Sequence, residues 1–376
     1  MKHILVLIEW FCHTNKVDDT IIACRNLISC LSHQYCFYIF TVNGSNKGIV
    51  YDQWIAQGDN SFIWYASKKS LTSDLIRQII MDVNPHTIYL NCIFSLHFSL
   101  LPFFVLNKIK YAGKIVIAPL GMLKNDIIES STFKKKAFAF LLWHVSRRPN
   151  VFFQALSLKE AYRVKKYVGN KCRVLVVENV PNTDHSLFDK KSKEKGTIKC
   201  VFVSAMQPGE NLLFALEVLQ AVDERYHVQF DIFGSIGDRK YVIKCLEATA
   251  NLPYHIKVNF CKPIHDARFM QKLREYHLLF LPTQGENCGH INVAIEAMSA
   301  GCIALTSDQT PWHDLETFNA GWALSLNDPL HFVEKIQLVC DMDSETFDQM
   351  AGNAREYAHT YYRQLNFAKK YEALFE

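Results

Sequence analysis

Two glutamates, Glu286 and Glu296, have the residue type and the placement to contact a ligand. Glu286 lies in the glycine-containing loop Gln284–Gly289, which follows the apolar run His277–Thr283. A short apolar run closed by proline and polar residues is typical of a parallel strand buried on both faces. Glu296 lies in the helical pattern that begins near Asn292. Because open α/β sheets bind ligands in loops at the carboxyl ends of their strands, both carboxylates are predicted to face a crevice.

The elements that must position these carboxylates alternate along the chain. Apolar strand-like runs are followed by segments with helical periodicity, which predicts an α/β fold with parallel sheets and helices on both faces. The predicted strands are Ile4–Ile8, Tyr35–Val42, Thr87–Leu90, Lys114–Ala118, Val151–Ala155, Val174–Val177, Ile198–Ser204, Val228–Phe233, His255–Phe260 and Cys302–Leu305. The predicted helices include Thr20–Leu31, Leu75–Asp82, Leu158–Tyr167 and the long segment Asp343–Phe375.

The length of the chain and one charged stretch predict two domains. A chain of 376 residues is too long for one ordinary domain, and its 49% hydrophobic residues suffice for two cores. The stretch Asp189–Gly196 is rich in lysine and is predicted to be a solvated linker. The predicted domains are residues 1–185 and 186–355, and the helix 356–376 is expected to return to the first domain.

The segment Leu281–Trp312 resembles the donor-binding motif of family 4 glycosyltransferases, which are retaining enzymes of the GT-B fold. The likeness is strongest to a bacterial polysaccharide-assembly branch that has a Gly-Glu-Asn-x-Gly-His loop, a Glu-Ala helix and a Ser-Asp-x-Thr-Pro-Trp strand exit. Phe233-Gly234 and Ala320-Gly321-Trp322 also fit the family. The resemblance implies two Rossmann-like domains whose parallel sheets face a central cleft. It further implies an acceptor-binding first domain and a nucleotide-sugar-binding second domain.

The same resemblance assigns roles to individual residues. It implies that Glu296 binds the ribose hydroxyls of a nucleotide sugar. It makes Glu286 the catalytic candidate, in contact with the donor sugar, although two more residues separate the two acids than is usual in the family. The further substrate-binding candidates are Asn287, Gly289, His290 and Gly121. An alternative role for His290 is to cap the helix that follows it.

Three positions depart from the family pattern around the donor pyrophosphate. Ala205 and Glu210 stand where the family carries an Arg and a Lys, and Leu120 stands where it carries an Arg. A charge-assisted hydrogen bond contributes roughly 1.5 to 3 kcal/mol, so losing the two cations at Ala205 and Glu210 should weaken phosphate binding considerably. Backbone amides near Gly289–Asn292 can also bind a phosphate at a helix terminus. Compensating charge could come from Lys16, Lys124 or Lys134–Lys136.

The sequence therefore leaves several functional hypotheses. The first is a glycosyltransferase that moves a hexose-like sugar from a nucleotide diphosphate to a lipid-linked or saccharide acceptor, with retention, in lipopolysaccharide, capsule or exopolysaccharide biosynthesis. An alternative is a non-catalytic GT-B pseudoenzyme or assembly partner, which the missing cations favour. Another is a nucleotide-sugar epimerase, which would require paired acid and base groups. No carboxylate pair identifies a nucleophile, and none is assigned.

Composition argues against other classes of protein. The formal net charge is only +4 and no nucleic-acid-binding motif is visible, so no nucleic-acid partner is expected. The 12 cysteines contain no C-x-x-C pair and are predicted to be buried and free. Asp341-Met342-Asp343 is predicted to cap a helix rather than bind metal, and neither a metal nor a cofactor is expected. The amino-terminal apolar run is too short for a signal peptide, and a cytoplasmic location is expected.

The segment Lys134–Arg173 is strongly basic and contains several aromatic residues. Such a segment can lie on an anionic membrane and bring an enzyme to a lipid-linked acceptor at the inner face of the cytoplasmic membrane. An ordinary helix with one solvated basic face explains the same pattern. Both interpretations remain open at this point.

Overall fold

A computed structural model provides the fold of the chain. It describes residues 1–11, 19–42, 50–67, 69–91, 93, 95–120, 123, 142, 146–182, 191–262, 264, 268–284 and 289–376, with the backbone alone at 19 and 289–291. The chain divides into two compact units, one of Met1–Val180 with Asn366–Glu376 and the other of Pro181–Leu365. These divisions lie five and ten residues from those expected at 185/186 and 355/356.

The first unit is built on an eight-stranded sheet. Its strands are β1 (Lys2–Trp10), β2 (Tyr35–Val42), β3 (Trp54–Ala56), β4 (Ser61–Ala66), β5 (Thr87–Leu90), β6 (Lys114–Ile117), β7 (Val151–Ala155) and β8 (Arg173–Val176). They lie in the order β3-β4-β2-β1-β5-β6-β7-β8, and only the β3–β4 pair is antiparallel. The described helices before residue 180 are α1 (Asp19–Leu31), α2 (Ser73–Val83), α3 (Leu101–Lys108), which follows a π-helical turn, and α4 (Leu158–Val168).

The second unit is built on a six-stranded parallel sheet. Its strands are β9 (Thr197–Val203), β10 (His227–Phe233), β11 (Ile256–Cys261), β12 (Leu278–Leu281), β13 (Ile303–Ser307) and β14 (Gly321–Leu324), in the order β11-β10-β9-β12-β13-β14. Its described helices are α5 (Leu212–Gln220), α6 (Arg239–Ala250), α7 (Arg268–Leu273), α8 (Gly289–Ser299), α9 (Pro329–Asp341) and α10 (Ser344–Leu365). This is the doubly wound order, in which the crossovers cover both faces. The predicted fold class of two parallel-sheet α/β domains is confirmed.

The central strands form because their side chains are apolar on both faces. In β12, all four residues are buried, and in β1 the run from Ile4 to Ile8 is at most 2% exposed. Parallel strands covered by helices on both sides require such continuous apolar runs. The nine described cysteines are all free and seven of them are buried, as expected of small apolar side chains.

The last helical segment is two helices rather than the single one predicted over Asp343–Phe375. Asn366 adopts a left-handed conformation with φ 43°, which ends α10 and starts α11 (Phe367–Phe375). Asn and Gly adopt this conformation more readily than other residues. At the start of α10, the Asp343 carboxylate accepts a hydrogen bond of 3.0 Å from the Thr346 amide, so the predicted helix cap is confirmed.

The charged stretch predicted to be a solvated linker is partly buried, and that prediction is wrong for Lys191 and Lys193. Lys193 is 4% exposed, and its Nζ donates to the carbonyl oxygens of Cys340 (3.1 Å) and Met342 (3.3 Å). Lys191 Nζ donates to the carbonyl of Gly301 at 2.8 Å. Each ammonium thus satisfies carbonyl groups at the carboxyl end of a helix, which the helix dipole also favours. Burial lowers the pKa of both lysines.

His277 ties the same stretch to the sheet of the second unit. The side chain is 5% exposed, its Nδ1 accepts from the Lys199 amide at 3.0 Å, and its Nε2 lies 3.1 Å from the Ser192 carbonyl. Only the neutral ring with its proton on Nε2 makes both bonds. Burial is the main cause that lowers the pKa of His277 from 6.5 to about 4, with smaller contributions from Lys191, Lys193 and Lys199.

Replacing His277 should flatten the pH dependence of stability in the second unit. Because the folded pKa is depressed, the stabilisation is complete above pH 6.5 and is lost as pH falls toward 4. At about 1.4 kcal/mol per pKa unit, the loss is on the order of 3 kcal/mol. We expect urea unfolding between pH 7 and pH 4.5 to show a smaller decrease for His277→Asn than for the unchanged chain. The exposed His313 provides the control variant, His313→Asn. Equal pH profiles for both variants would contradict the assignment.

Candidate functional site

The order of strands in the second sheet places a crevice beside β9 and β12. These two strands are neighbours, but the chain leaves them in opposite directions, β9 toward β10 and β12 toward β13. In doubly wound sheets, ligands bind at the carboxyl ends of the strands at such a switch point. The two loops that follow β9 and β12 meet here, because the Gln284 amide donates to the Gly209 carbonyl at 2.9 Å.

Glu296 lies on α8, the helix that follows this crevice. It is 8% exposed, and its Oε1 accepts a hydrogen bond of 2.9 Å from the backbone amide of Asn182. Burying a carboxylate is costly unless hydrogen bonds compensate it, and the Asn182 amide provides one. Glu296 is therefore not a solvated glutamate on the surface of its helix. Contact with ribose hydroxyls stays a prediction.

The first turn of α8 brings backbone amides to the crevice. The helix begins at Gly289, three residues before the start predicted near Asn292. The first amides of a helix have no partner within it, and together with the helix dipole they favour an anion. Gly289 and His290 both belong to this turn. The side-chain role predicted for His290 stays a prediction.

Three of the predicted site residues lie outside the described part of the chain. They are the catalytic candidate Glu286 and the substrate-binding candidates Asn287 and Gly121. Their predicted roles stay predictions. The structure thus places Glu296, Gly289 and His290 on one helix after β12.

The loop after β9 holds a carboxylate where the resemblance calls for a phosphate-binding lysine. Glu210 is 4% exposed, and its Oε1 accepts a hydrogen bond of 2.9 Å from Gln207 Nε2. Ala205, which stands where the resemblance calls for an arginine, is half-buried. The turn Pro208–Glu210 ends at Asn211, which has φ 58°. The carboxylate is held against its own turn, and neither residue can provide a cation for a phosphate.

Two buried polar atoms that the sequence did not single out lie at equivalent places in the two sheets. Thr283, 1% exposed, follows β12, and Asn91, 2% exposed, follows β5, which is the neighbour of β1 at the switch point of the first sheet. Within the described residues, Thr283 Oγ1 and Asn91 Oδ1 have no hydrogen-bond partner. Unsatisfied buried polar atoms are rare and costly, and they are often found where a ligand binds. In the sequence, each of these two residues is a polar residue that closes an apolar run, and this pattern could have identified them.

The glycine of the Phe233-Gly234 segment has a steric explanation. A Cβ at Gly234 would lie 1.8 Å from the carbonyl oxygen of Ser204, inside the contact distance of any two heavy atoms. Gly234 therefore allows the loops after β9 and β10 to approach each other closely. This approach shapes the carboxyl edge of the sheet beside the crevice.

The strand exit that contributed to the resemblance is mainly structural. Trp312 is 1% exposed, and its ring lies 4.6 Å from that of Tyr361 and 6.2 Å from that of Tyr357, both on α10. Thr310 donates through its backbone amide to the Ser307 carbonyl, which closes the turn after β13.

The described residues contain no group of three His, Cys, Asp or Glu side chains arranged to hold a metal ion. Within the same part of the chain, every helix is too short or too polar to span a bilayer.

The chain resembles solved glycosyltransferase structures along its whole length. It aligns with sucrose-phosphate synthase from Thermosynechococcus elongatus at 12% identity and a TM-score of 0.60, covering 100% of this chain and 99% of that one. It aligns with Anabaena HepE, solved with UDP and glucose, at 12% identity and a TM-score of 0.62, covering 100% and 98%. It aligns with WaaG, a glycosyltransferase involved in lipopolysaccharide biosynthesis, at 13% identity and a TM-score of 0.52, covering 95% of each chain.

Sequence comparison gives a match to one family model, described as "Glycosyl transferases group 1", over residues 184–357. That segment contains β9 to β14 and therefore the whole crevice with Glu296 and the first turn of α8. No curated protein is detectably similar to the chain in sequence. The chain has the GT-B fold, and the segment that carries its candidate site matches the group 1 glycosyl transferases.

Proposed function

We propose that the chain is a glycosyltransferase that moves a hexose from a nucleotide diphosphate sugar to a lipid-linked or saccharide acceptor, with retention at the anomeric carbon. In this reaction Glu296 binds the ribose hydroxyls and Glu286 contacts the donor sugar. Backbone amides at the start of α8 bind the leaving diphosphate as negative charge develops on it. The acceptor binds to the first unit.

The burial of Glu296 at the switch-point crevice is the observation that carries the proposal. A carboxylate that is 8% exposed and hydrogen-bonded to a backbone amide has a fixed position, and fixed carboxylates suit the paired hydroxyls of a ribose. The match to group 1 glycosyl transferases covers this helix. A UDP-bound neighbour of the same fold supports a nucleotide-sugar donor.

The proposed pathway is the assembly of lipopolysaccharide, capsule or exopolysaccharide on the cytoplasmic face of a membrane. WaaG, one of the neighbours in fold, acts in lipopolysaccharide biosynthesis. On α4, the apolar side chains of Leu158 and Tyr162 are 80% and 69% exposed, and Lys159 and Lys166 beside them are also exposed. Exposed apolar residues flanked by lysines suit an anionic lipid surface, so the peripheral location stays part of the proposal. The reaction is proposed to need neither a metal ion nor a cofactor.

Calorimetric titration with UDP and UDP-glucose tests the donor site directly. We expect the unchanged chain to bind UDP at micromolar concentration and Glu296→Gln to bind it at least tenfold more weakly, which corresponds to about 1.4 kcal/mol. GDP and CMP with their sugar conjugates establish which base is accepted. Release of UDP from UDP-glucose, in the presence and absence of added saccharide acceptors, reports turnover.

The matched control for this titration is Glu334→Gln, which changes an exposed carboxylate on α9 of the same unit. Equal binding by Glu296→Gln and Glu334→Gln would reject the ribose role of Glu296. Failure of the folded chain to bind any of the nucleotides, with or without acceptor, would reject the proposed donor site.

A second candidate function is a non-catalytic relative that keeps the fold. The inward-facing Glu210 favours it, because this carboxylate replaces a cation that the family resemblance places beside the diphosphate. Measurable binding without release of UDP from any donor would support this alternative. Turnover would exclude it.

A further inference from the structure

The second unit contains an open pocket on the α5 side of the loops that follow β9 and β12. The pocket has a volume of about 450 Å³ and lies against α5, where the loops after β9, β12, β13 and β14 come together. This volume is in the ordinary range for small-molecule sites. The function proposed above makes no use of this pocket.

The pocket and Glu296 lie against helices that cover opposite faces of the sheet. The crossover through α5 runs from β9 toward one edge, and the crossover through α8 runs from β12 toward the other. Because parallel crossovers are right-handed, helices that run toward opposite edges cover opposite faces. Helix α5 contacts α6 and α9, whereas α8 contacts α7 and α10. Glu296 on α8 therefore does not line the pocket.

The lining of the pocket is polar but carries little charge. Among the described residues, four amide side chains line it, those of Asn211, Gln284, Gln309 and Asn327, and Glu217 contributes a carboxylate. None of the described residues in the lining is a lysine, arginine or histidine. A phosphate or carboxylate ligand would meet Glu217 without a compensating cation, so the lining disfavours anions. Amides both donate and accept hydrogen bonds, which suits a neutral ligand that carries many hydroxyl groups.

An aromatic ring completes the lining. Phe214 on α5 is half-buried, and its ring lies 5.1 Å from that of Phe332 at an interplanar angle of 80°. This edge-on packing holds the Phe214 ring in place beside the amides. The aromatic ring offers an apolar surface for the C–H face of a sugar ring. The neighbouring amide and carboxylate groups offer hydrogen bonds for the sugar hydroxyls.

The walls of the pocket are fixed by hydrogen bonds that involve the backbone. The Gln284 amide donates to the Gly209 carbonyl at 2.9 Å, which joins the loops after β9 and β12. Tyr241 Oη accepts from the Leu213 amide at 2.9 Å, which joins the first turns of α6 and α5. Because these walls are already held in place, binding a ligand costs little conformational entropy of the protein.

We propose that this pocket binds a neutral mono- or disaccharide through the amides, Glu217 and Phe214. It is a second carbohydrate site, and it holds a saccharide beside α5, on the face of the sheet opposite to the helix that carries Glu296. The inference does not depend on the transfer reaction, because Glu296 is not among the described residues that line the pocket.

Saturation-transfer difference NMR on the full chain tests the proposal with methyl α-glucoside, methyl α-galactoside, maltose and lactose as probes. We expect at least one probe to bind, and Glu217→Ala and Asn327→Ala each to raise its Kd at least fivefold. Both side chains are exposed, so these variants should fold. The matched control is Glu224→Ala, an exposed glutamate of the same unit outside the pocket, which should leave the Kd unchanged.

Glu296→Gln separates this site from the donor site. Sugar binding that persists in Glu296→Gln but weakens in Glu217→Ala supports the proposal. Sugar binding that is lost in Glu296→Gln and retained in Glu217→Ala would assign the probes to the donor site and overturn it. Absence of binding by all four probes would also overturn it, as would binding of inorganic phosphate that Glu217→Ala strengthens.

Discussion

Replacing Phe375 with alanine is expected to destabilise the first unit by about 3 to 5 kcal/mol, the usual cost of deleting a buried phenylalanine ring. The ring is fully buried and lies 5.6 Å from that of Tyr35 and 5.8 Å from that of Tyr89. The carbonyl of Phe375 also accepts from Thr87 Oγ1 at 2.6 Å. The variant leaves a cavity between α11 and the amino ends of the central strands. Hydrogen exchange followed by mass spectrometry should show faster exchange in β1 and β5.

The same experiment contains its own reference, because peptides from β9 and β13 belong to the second unit. Their exchange should not change. Glu372→Ala, an exposed substitution on the same helix, is the matched control. Exchange that accelerates equally in both units, or equally in the control, would show that Phe375 does not anchor α11 to the first unit.

Replacing Gly321 with alanine is expected to destabilise the second unit by about 3 kcal/mol or more, through overpacking and backbone strain together. Gly321 has φ 152°, which residues with a Cβ rarely adopt, and an added Cβ would lie 2.0 Å from the carbonyl oxygen of Ala304. Ala304 and Gly321 face each other in the parallel pair β13–β14. The strands must separate to admit the methyl group. Urea unfolding of the second unit measures the loss.

Gly352→Ala is the matched control for this substitution and should have the opposite sign. Gly352 lies within α10, and an added Cβ there meets no atom within 4 Å. Alanine is more favourable than glycine in a helix by about 1 kcal/mol, so this variant should gain stability. If both variants changed stability in the same direction, steric exclusion at Gly321 would not be the cause.

The strands could be predicted because burial on both faces leaves a clear pattern in the sequence. The prediction Tyr35–Val42 has the same bounds as β2, and Val151–Ala155 has the same bounds as β7. The strand β3 was missed because it is a short edge strand that needs no continuous apolar run. Edge strands are partly exposed and leave a weaker signal than central ones.

The candidate site was predictable in part. Glu296 could be singled out from its motif, but its hydrogen bond with Asn182 joins residues far apart in the sequence, and no local pattern indicates it. The burial of Lys193 has the same explanation, because its partners Cys340 and Met342 follow it by more than a hundred residues. A run of lysines normally indicates solvent exposure, and only the tertiary fold reveals which of them cap helices. The polar lining beside Phe214 is drawn from four loops and two helices, which explains why the sequence did not reveal it.

The segment Asn366–Glu376 belongs to the first unit, yet the ribosome makes it only after the whole second unit. Domains generally fold as units during synthesis, with the amino-terminal one first. The nascent first sheet must therefore wait for Phe375 to cover Tyr35 and Tyr89 until the whole second unit has been translated. During that interval it exposes apolar surface to chaperones and to other chains. A stop codon that removed Asn366–Glu376 would therefore damage the part of the protein that was translated first.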